Sequence, residues 1–439
     1  MKKIINTFVL ITVFLFASCN QEYTNPSSAT QAQVVSDVVG LITLANGLSF
    51  KYSISRQSPN YTLPTTSGLL TKELLVLNAG NTDEQNLFLG SASVLGNNGV
   101  ISNLWNQCNL VRSNADLILA NLNIASDQGM RGALQAHASI FKALALGNLA
   151  MFWQQAPIAN GTSATQAGGS GAAFVSRIAV FNEAVSILEA ARIELAKAPI
   201  PPAFSAGIAP GIDYTNTINA LIARYALMAG DNDKALAAAS LVSLANTVRS
   251  EFRHDDLTRN ALFESSFGNR NVSEPFDNKF SLPVALQTDL ADKRIAFFFN
   301  TTVATPPNNL GRASFFTANT SPVPIYRPGE ISLIKAEAHV RKSSPDLSAA
   351  VTELNVVLTK TTDAYGIGAA LAAYSGPITG PAILDEIYKQ RCIELYLTGM
   401  RLEDSRRFGR PASERTRTFL PYPFSERDNN PNTPADPAN

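Results

Sequence analysis

The chain has 439 residues, 35 of them Lys or Arg and 35 Asp or Glu, for a formal net charge of zero. That balance excludes the one-sign field that gathers nucleic acid or an anionic surface, and 45% hydrophobic residues describe a globular body, not a disordered one. The length exceeds a single small core and suits one large helical domain carrying appended lobes.

The first residues read as an export signal. Lys2-Lys3 precede an apolar run from Phe8 to Phe16, too short to span a bilayer, and then Ala17-Ser18-Cys19. This is the pattern of a lipoprotein signal, residues 1–18, with cleavage before Cys19 and a lipid on the freed thiol. Residues 19–30 are polar and rich in Ser, Thr and Asn, a flexible tether. With Cys19 lipidated, only Cys108 and Cys392 remain, both on apolar helix faces and expected to be buried thiols.

Residues 31–439 form the predicted body. Val34/Val35, Val38/Val39, Leu41/Ile42 and Ala45 repeat at helical spacing over 31–48. From about 50 to 100 the period is lost among turn residues such as Ser58-Pro59-Asn60 and Gly96-Asn97-Asn98-Gly99, which predicts a loop-rich lobe and not a helix pair. Stripes then return over about 102–245: Trp105, Cys108, Arg112 and Ala115; Leu134, Ala138, Phe141 and Ala145; Phe181, Val185, Leu188 and Ala191. Ile218, Leu221, Tyr225 and Met228, a turn at Gly230-Asp231, and Ala235 with Ala238/Ala239 form a hairpin whose small residues let two antiparallel helices approach closely, as in tetratricopeptide packing. A second, irregular lobe covers about 243–321, within which Asp292-Lys293-Arg294 precedes Phe297-Phe298-Phe299. Over about 326–409, Ile331 to Val340 and Leu347, Val351, Leu354 and Leu358 make another pair, the second helix capped by Ser344 with Pro345 at its first position. The fold class predicted is mainly α, a tetratricopeptide-like bundle of helix pairs with loop-rich lobes and a few short strands.

The stretch Ile383 to Gly409 is the densest. Leu384, Ile387, Tyr388, Cys392 and Leu395 form one apolar stripe with Arg391, Glu394, Arg401 and Asp404 beside it. Charges so close to a core face require partners, so these four are read as an internal ion network.

No catalytic set emerges. His137, His254 and His339 are far apart and belong to no HExxH or CxxC-type ligand set, and there is no P-loop or dinucleotide-binding glycine motif. His254-Asp255-Asp256 reads as a solvated turn. No enzyme, metal or cofactor is predicted.

The C-terminal block resembles the SusD/RagB outer-membrane nutrient-binding lipoproteins. The resemblance rests on Arg327-Pro328-Gly329-Glu330 before Ala336-Glu337-Ala338, on Arg391-Cys392-Ile393-Glu394-Leu395, on Gly399-Met400-Arg401-Leu402-Glu403-Asp404-Ser405-Arg406-Arg407, and on Leu420-Pro421-Tyr422-Pro423 with Asn430-Pro431. Asp292-Lys293-Arg294 resembles the family's step ahead of its short strands, which implies Phe297-Phe298-Phe299 as a strand; Gln390 departs from the family's usual Glu, and the tail lacks its usual Gly-Tyr ending, which predicts a loosely held C-terminus. The resemblance implies a surface-exposed lipoprotein, anchored in outer-membrane lipid through Cys19, that binds an oligosaccharide and delivers it to a SusC-like TonB-dependent outer-membrane transporter. A peptide ligand, as in RagB-like proteins, and a helical protein-interaction scaffold are the alternatives. A glycan site needs flat aromatic faces, and the loop lobes offer Tyr52, Tyr61, Phe88, Phe276, Phe315 and Phe316 as ligand-binding candidates.

Overall fold

The structure, a computed structural model, describes residues 31–161, 170–268, 272–299 and 316–438. The export signal, Cys19, the tether and Phe315 lie outside these residues.

The fold is mainly α, built from helix pairs as the periodicity predicts. Helices α1 (Gln31–Val34) and α2 (Val38–Ser53) split the first stripe, because the Asp37 side chain accepts from Gly40 N and caps a new helix. After α3 (Pro59–Leu70) and α4 (Thr82–Leu89) come the long helices α5 (Gly99–Ala120), α6 (Gln128–Phe152) and α7 (Arg177–Leu195), each packed on the next. A short α8 (Pro202–Gly207) interrupts the Pro/Gly-rich connection. Helices α9 (Tyr214–Ala229) and α10 (Asn232–Ala239) then form the expected hairpin. Its turn is explicit: Gly230 has φ 89°, Asp231 N donates to the Ala226 carbonyl, and the Asp231 side chain caps α10. A Cβ on Gly147 of α6 would overlap the Tyr225 ring, so glycine there sets how closely α6 and α9 approach.

Helices α12 (Pro328–Arg341), α13 (Leu347–Thr359) and α14 (Gly380–Glu394) close the frame, followed by α15 (Arg401–Arg407) and α16 (Phe424–Asn429); α11 (Lys293–Phe298) precedes them. α12 has two buried faces. Ile331, Ile334 and Ala338 join the main core, while Leu333, Ala336 and Val340 make a second core with Ala350, Leu354, Val357, Ile383 and Ile387. Three two-stranded antiparallel sheets lie among the described residues: β1 (Leu74–Val76) with β5 (Ser273–Pro275), β2 (Gln155–Pro157) with β3 (Phe174–Ser176), and β4 (Glu251–Phe252) with β6 (Val323–Pro324).

Several expectations are corrected. The 50–100 region contains α3 and α4 and is not simply looped. Every residue of α3 except Asn60 is buried, so it has no polar face and shows no amphipathic period. Phe297 and Phe298 lie in α11, not a strand: Asp292 caps that helix through Arg294 N at 3.0 Å, and the rings join an aromatic cluster with Phe280 and Tyr396. α13 is capped by Asp346, which accepts from Ala349 N at 2.9 Å, so the helix begins after Pro345. The C-terminus is held, since Asp436 accepts from Tyr422 N at 2.8 Å and pairs with Arg427 at 2.5 Å.

The charged block also differs in its partners. The chain leaves α14 at Glu394 and turns through Leu397 (φ 58°) and Gly399 (φ 85°), so 391–394 and 401–404 do not share one helix. Arg391 pairs with Asp404 at 2.9 Å, and Asp404 also holds Arg407 at 2.6 Å. Glu394 instead meets Arg294 at 3.2 Å and Lys360, while Arg401 donates to the carbonyls of Phe280 and Ser281. Gln390 Oε1 accepts from Arg294 at 2.6 Å, so the amide supplies an acceptor at this buried position. Burial alone would raise the Glu394 pKa, but Lys360 and Arg294 outweigh it and hold the carboxyl low. Cys108 and Cys392 are buried, free thiols.

Glu394→Ala should therefore strand Arg294 and Lys360 and destabilise by about 3–5 kcal/mol, read as a lowered urea midpoint; an unchanged midpoint would contradict the pairing. Glu73 gives a pH test. Burial pushes its pKa up to about 7 against a usual 4.5, with Arg401, the Leu397 amide and Arg327 opposing the rise and Asp404 adding to it. Between those values the folded chain holds a proton that the unfolded chain has released, so this contribution is full at low pH and is lost as pH rises through about 7. Comparing Glu73→Gln with wild type in urea at pH 5 and pH 8 should show the balance shifting toward the variant at the higher pH; a constant difference would refute it.

Candidate functional site

An open hollow of about 580 Å³ lies between the C-terminal half of α2 and the turn that follows β4. α2 buries Leu41, Ala45, Leu48 and Tyr52 on one stripe, which leaves Asn46, Ser49 and Phe50 facing outward into the hollow. Phe50 is 57% exposed, an aromatic ring at a rim with no core to join. The opposite wall comes from Pro210 and Ile212 and from Glu251, Arg253, His254 and Asp255.

That wall is held from behind. β4 pairs with β6, and Phe252 packs on Tyr52 with ring centroids 5.3 Å apart. Asp255 Oδ1 accepts from Leu257 N, Thr258 N and Thr258 Oγ1 at 2.7–2.8 Å, which fixes the turn and lowers the Asp255 pKa. His254 Nδ1 lies 2.8 Å from the Thr258 carbonyl oxygen, and burial lowers its pKa. The Asn46 amide bridges α2 to the loop, donating to the Gly207 carbonyl and accepting from Ala209 N. Among the described residues no group of three His, Cys, Asp or Glu side chains is arranged to hold a metal, and no helix is long and apolar enough to cross a membrane.

The six aromatic residues singled out from the sequence separate. Tyr52, Tyr61 and Phe316 are buried and offer no face to solvent. Tyr52 and Phe316 line an internal cavity of about 50 Å³, too small for a sugar ring, and Tyr61 reaches Glu84. Phe88 and Phe276 come together at the edge of the β1–β5 sheet, centroids 6.2 Å apart, with Lys72 Nζ 3.4 Å above the Phe88 ring; Phe276 is 39% exposed. Both tryptophans are core: Trp105 Nε1 donates to Glu426 and Trp153 Nε1 to the Pro421 carbonyl. Phe50 and Glu251 had not been singled out, and His254 had been read as part of a solvated turn. Phe50 was legible, since it falls off the 41–45–48–52 stripe as a large apolar residue on the polar side; the Glu251 wall carried no such signal.

Residues 312–435 match the model of the SusD family. Among curated proteins no sequence matches. Solved structures similar to this one include a SusD-like carbohydrate binding protein from Bacteroides fragilis, at 13% identity and TM-score 0.68, with 91% of this chain and 99% of that one covered. Another is surface glycan-binding protein A from Bacteroides thetaiotaomicron in complex with laminarihexaose, at 14% identity and TM-score 0.65, with 88% and 97% covered. A SusD superfamily protein from Bacteroides fragilis matches at 16% identity and TM-score 0.64, covering 91% and 99%. At such identities the structural likeness speaks for the fold alone, a SusD-like one, and the match to the family model is confined to the C-terminal segment, residues 312–435.

Proposed function

We propose that the protein is a nutrient-binding lipoprotein of the outer membrane, facing the cell surface, which captures an oligosaccharide and delivers it to a SusC-like TonB-dependent transporter. In this reading residues 1–18 are the export signal, Cys19 carries the lipid, 19–30 are the tether and 31–439 are one SusD-like domain. The observation that carries it is an open hollow of about 580 Å³ on a SusD-like frame, with an exposed ring, Phe50, at its rim. The lining is concave and largely apolar with a few polar groups, and Phe50 offers a flat face for the CH groups of a sugar. Its role is binding without turnover, the energy of uptake coming from the transporter. The Phe88–Phe276 pair is a second, shallower contact for a longer chain.

Glycan-array binding followed by calorimetry tests this. Phe50→Ala should leave the melting temperature unchanged and weaken binding of the best glycan about tenfold, on the order of 1.4 kcal/mol, with a smaller effect from Phe276→Ala. Binding of peptide digests with no glycan bound would replace the oligosaccharide reading with the peptide one. Metabolic labelling with palmitate should mark the wild type and leave Cys19→Ala bare; an unlabelled wild type would remove the anchor. If the protein is a surface lid, protease added to intact cells should cut it.

A further inference from the structure

The turn that closes the hollow leaves two acceptors without donors. Glu251 is 5% exposed and His254 9% exposed, and both belong to the hollow's wall. Glu251 Oε1 meets Arg253 Nε at 3.4 Å, but its Oε2 has no partner. The Thr258 carbonyl beside His254 Nδ1 can only accept, so Nδ1 carries the proton and Nε2 keeps its lone pair. That Nε2 also has no partner. Buried polar atoms in native proteins are nearly always paired, so two orphans in one wall mark a missing donor.

The side-chain donors on both walls of the hollow are mostly engaged. Asn46 donates to the Gly207 carbonyl, Ser53 Oγ to the Ser49 carbonyl at 2.8 Å, and Thr258 Oγ1 to Asp255 at 2.8 Å. Ser49 Oγ sits 3.3 Å from His137 Nε2. What remains is acceptor-rich, with Arg253 the exception. A sugar hydroxyl both donates and accepts, so such a wall satisfies only half of it. An ammonium group donates three N–H bonds and accepts none. Charge favours the same choice: Glu251 and Asp255 stand against Arg253, whose side chain is 60% exposed and free to turn to solvent. At the rim, the Phe50 ring offers a face that attracts a cation.

We infer that the hollow takes a primary ammonium group, carried by an amino sugar or by a peptide amine, with Glu251 Oε2 and His254 Nε2 as its acceptors and Arg253 displaced from Glu251. The inference rests on the hollow being the nutrient site, and its test separates the two. Calorimetry on the full chain would compare a glucosamine oligosaccharide, its N-acetylated counterpart and a neutral glucose oligosaccharide of equal length, then a lysine tripeptide and its Nε-acetylated form.

The free-amine ligand should bind about tenfold or more tightly than its acetylated partner, as expected for a charge-assisted hydrogen bond. Glu251→Gln should abolish that preference, with circular dichroism confirming that the variant is folded. Should Glu251→Gln fail to fold, Phe50→Ala at its exposed position must weaken the amine ligand more than the acetylated one. Preference for the amino sugar or for the lysine peptide upholds the inference and names the source. Equal binding of amine, acetylated and neutral ligands overturns it and leaves the nutrient-binding reading standing; no binding of any sugar or peptide overturns both.

Discussion

Glu394 is a fully buried carboxylate at which segments distant in sequence meet. Its side chain takes Arg294 from α11 and Lys360 from beyond α13, and its backbone carbonyl takes Arg327 from the entrance to α12 at 2.6 Å. Gly329 lies so close that a Cβ there would overlap the carboxylate. A buried charge of this kind is tolerated only when its partners arrive together, so the group fixes the mutual placement of the second lobe and both C-terminal helix pairs. Comparable ties repeat nearby. Arg224 of α9 holds Glu330 in a bidentate pair at 2.6 and 2.7 Å, and Glu337 gathers Arg341 and Arg407. Such pairs add little net stability over apolar packing; what they contribute here is register between helices.

The candidate site inherits its rigidity from this frame. Arg224 donates to the Ile325 carbonyl at 2.8 Å, and Ile325 N donates to the Ser250 carbonyl at 2.9 Å, immediately before β4. The wall bearing Glu251 and His254 is thus linked to the α9–α12 ion pair through two short strands. α2, the opposite wall, is fixed by its own buried stripe and by the Asn46 bridge. Both sides of the hollow are positioned before any ligand arrives, which limits the ordering cost of binding.

Much of the helical frame was legible, and for one reason. α5, α7, α9, α10 and α13 each present apolar residues at helical spacing, so their stripes stand out in the sequence. α3 was missed because burial on nearly every side erases that contrast, and Ser58-Pro59-Asn60 at its start read as a turn; within the helix Thr62 returns its hydroxyl to the carbonyl one turn back. Phe297 and Phe298 read as strand because Asp292-Lys293-Arg294 resembles a step that precedes short strands; the Asp292 cap and the ring cluster around Phe280 decided otherwise. At the site, the sequence pointed to loop aromatics, yet three of them fill the core, because a flat ring serves packing as readily as recognition.

By itself the sequence determined the helix-pair architecture and the presence of too many charges beside an apolar stripe for them to be unpaired. Those follow from local spacing and from the high cost of burying an isolated charge. Only the tertiary structure decided which charge meets which. It sent Glu394 to Arg294 and Lys360, left Glu251 Oε2 and His254 Nε2 without donors, and set Phe50 at the mouth of a hollow, because such contacts join residues whose separation along the chain carries no periodic signal.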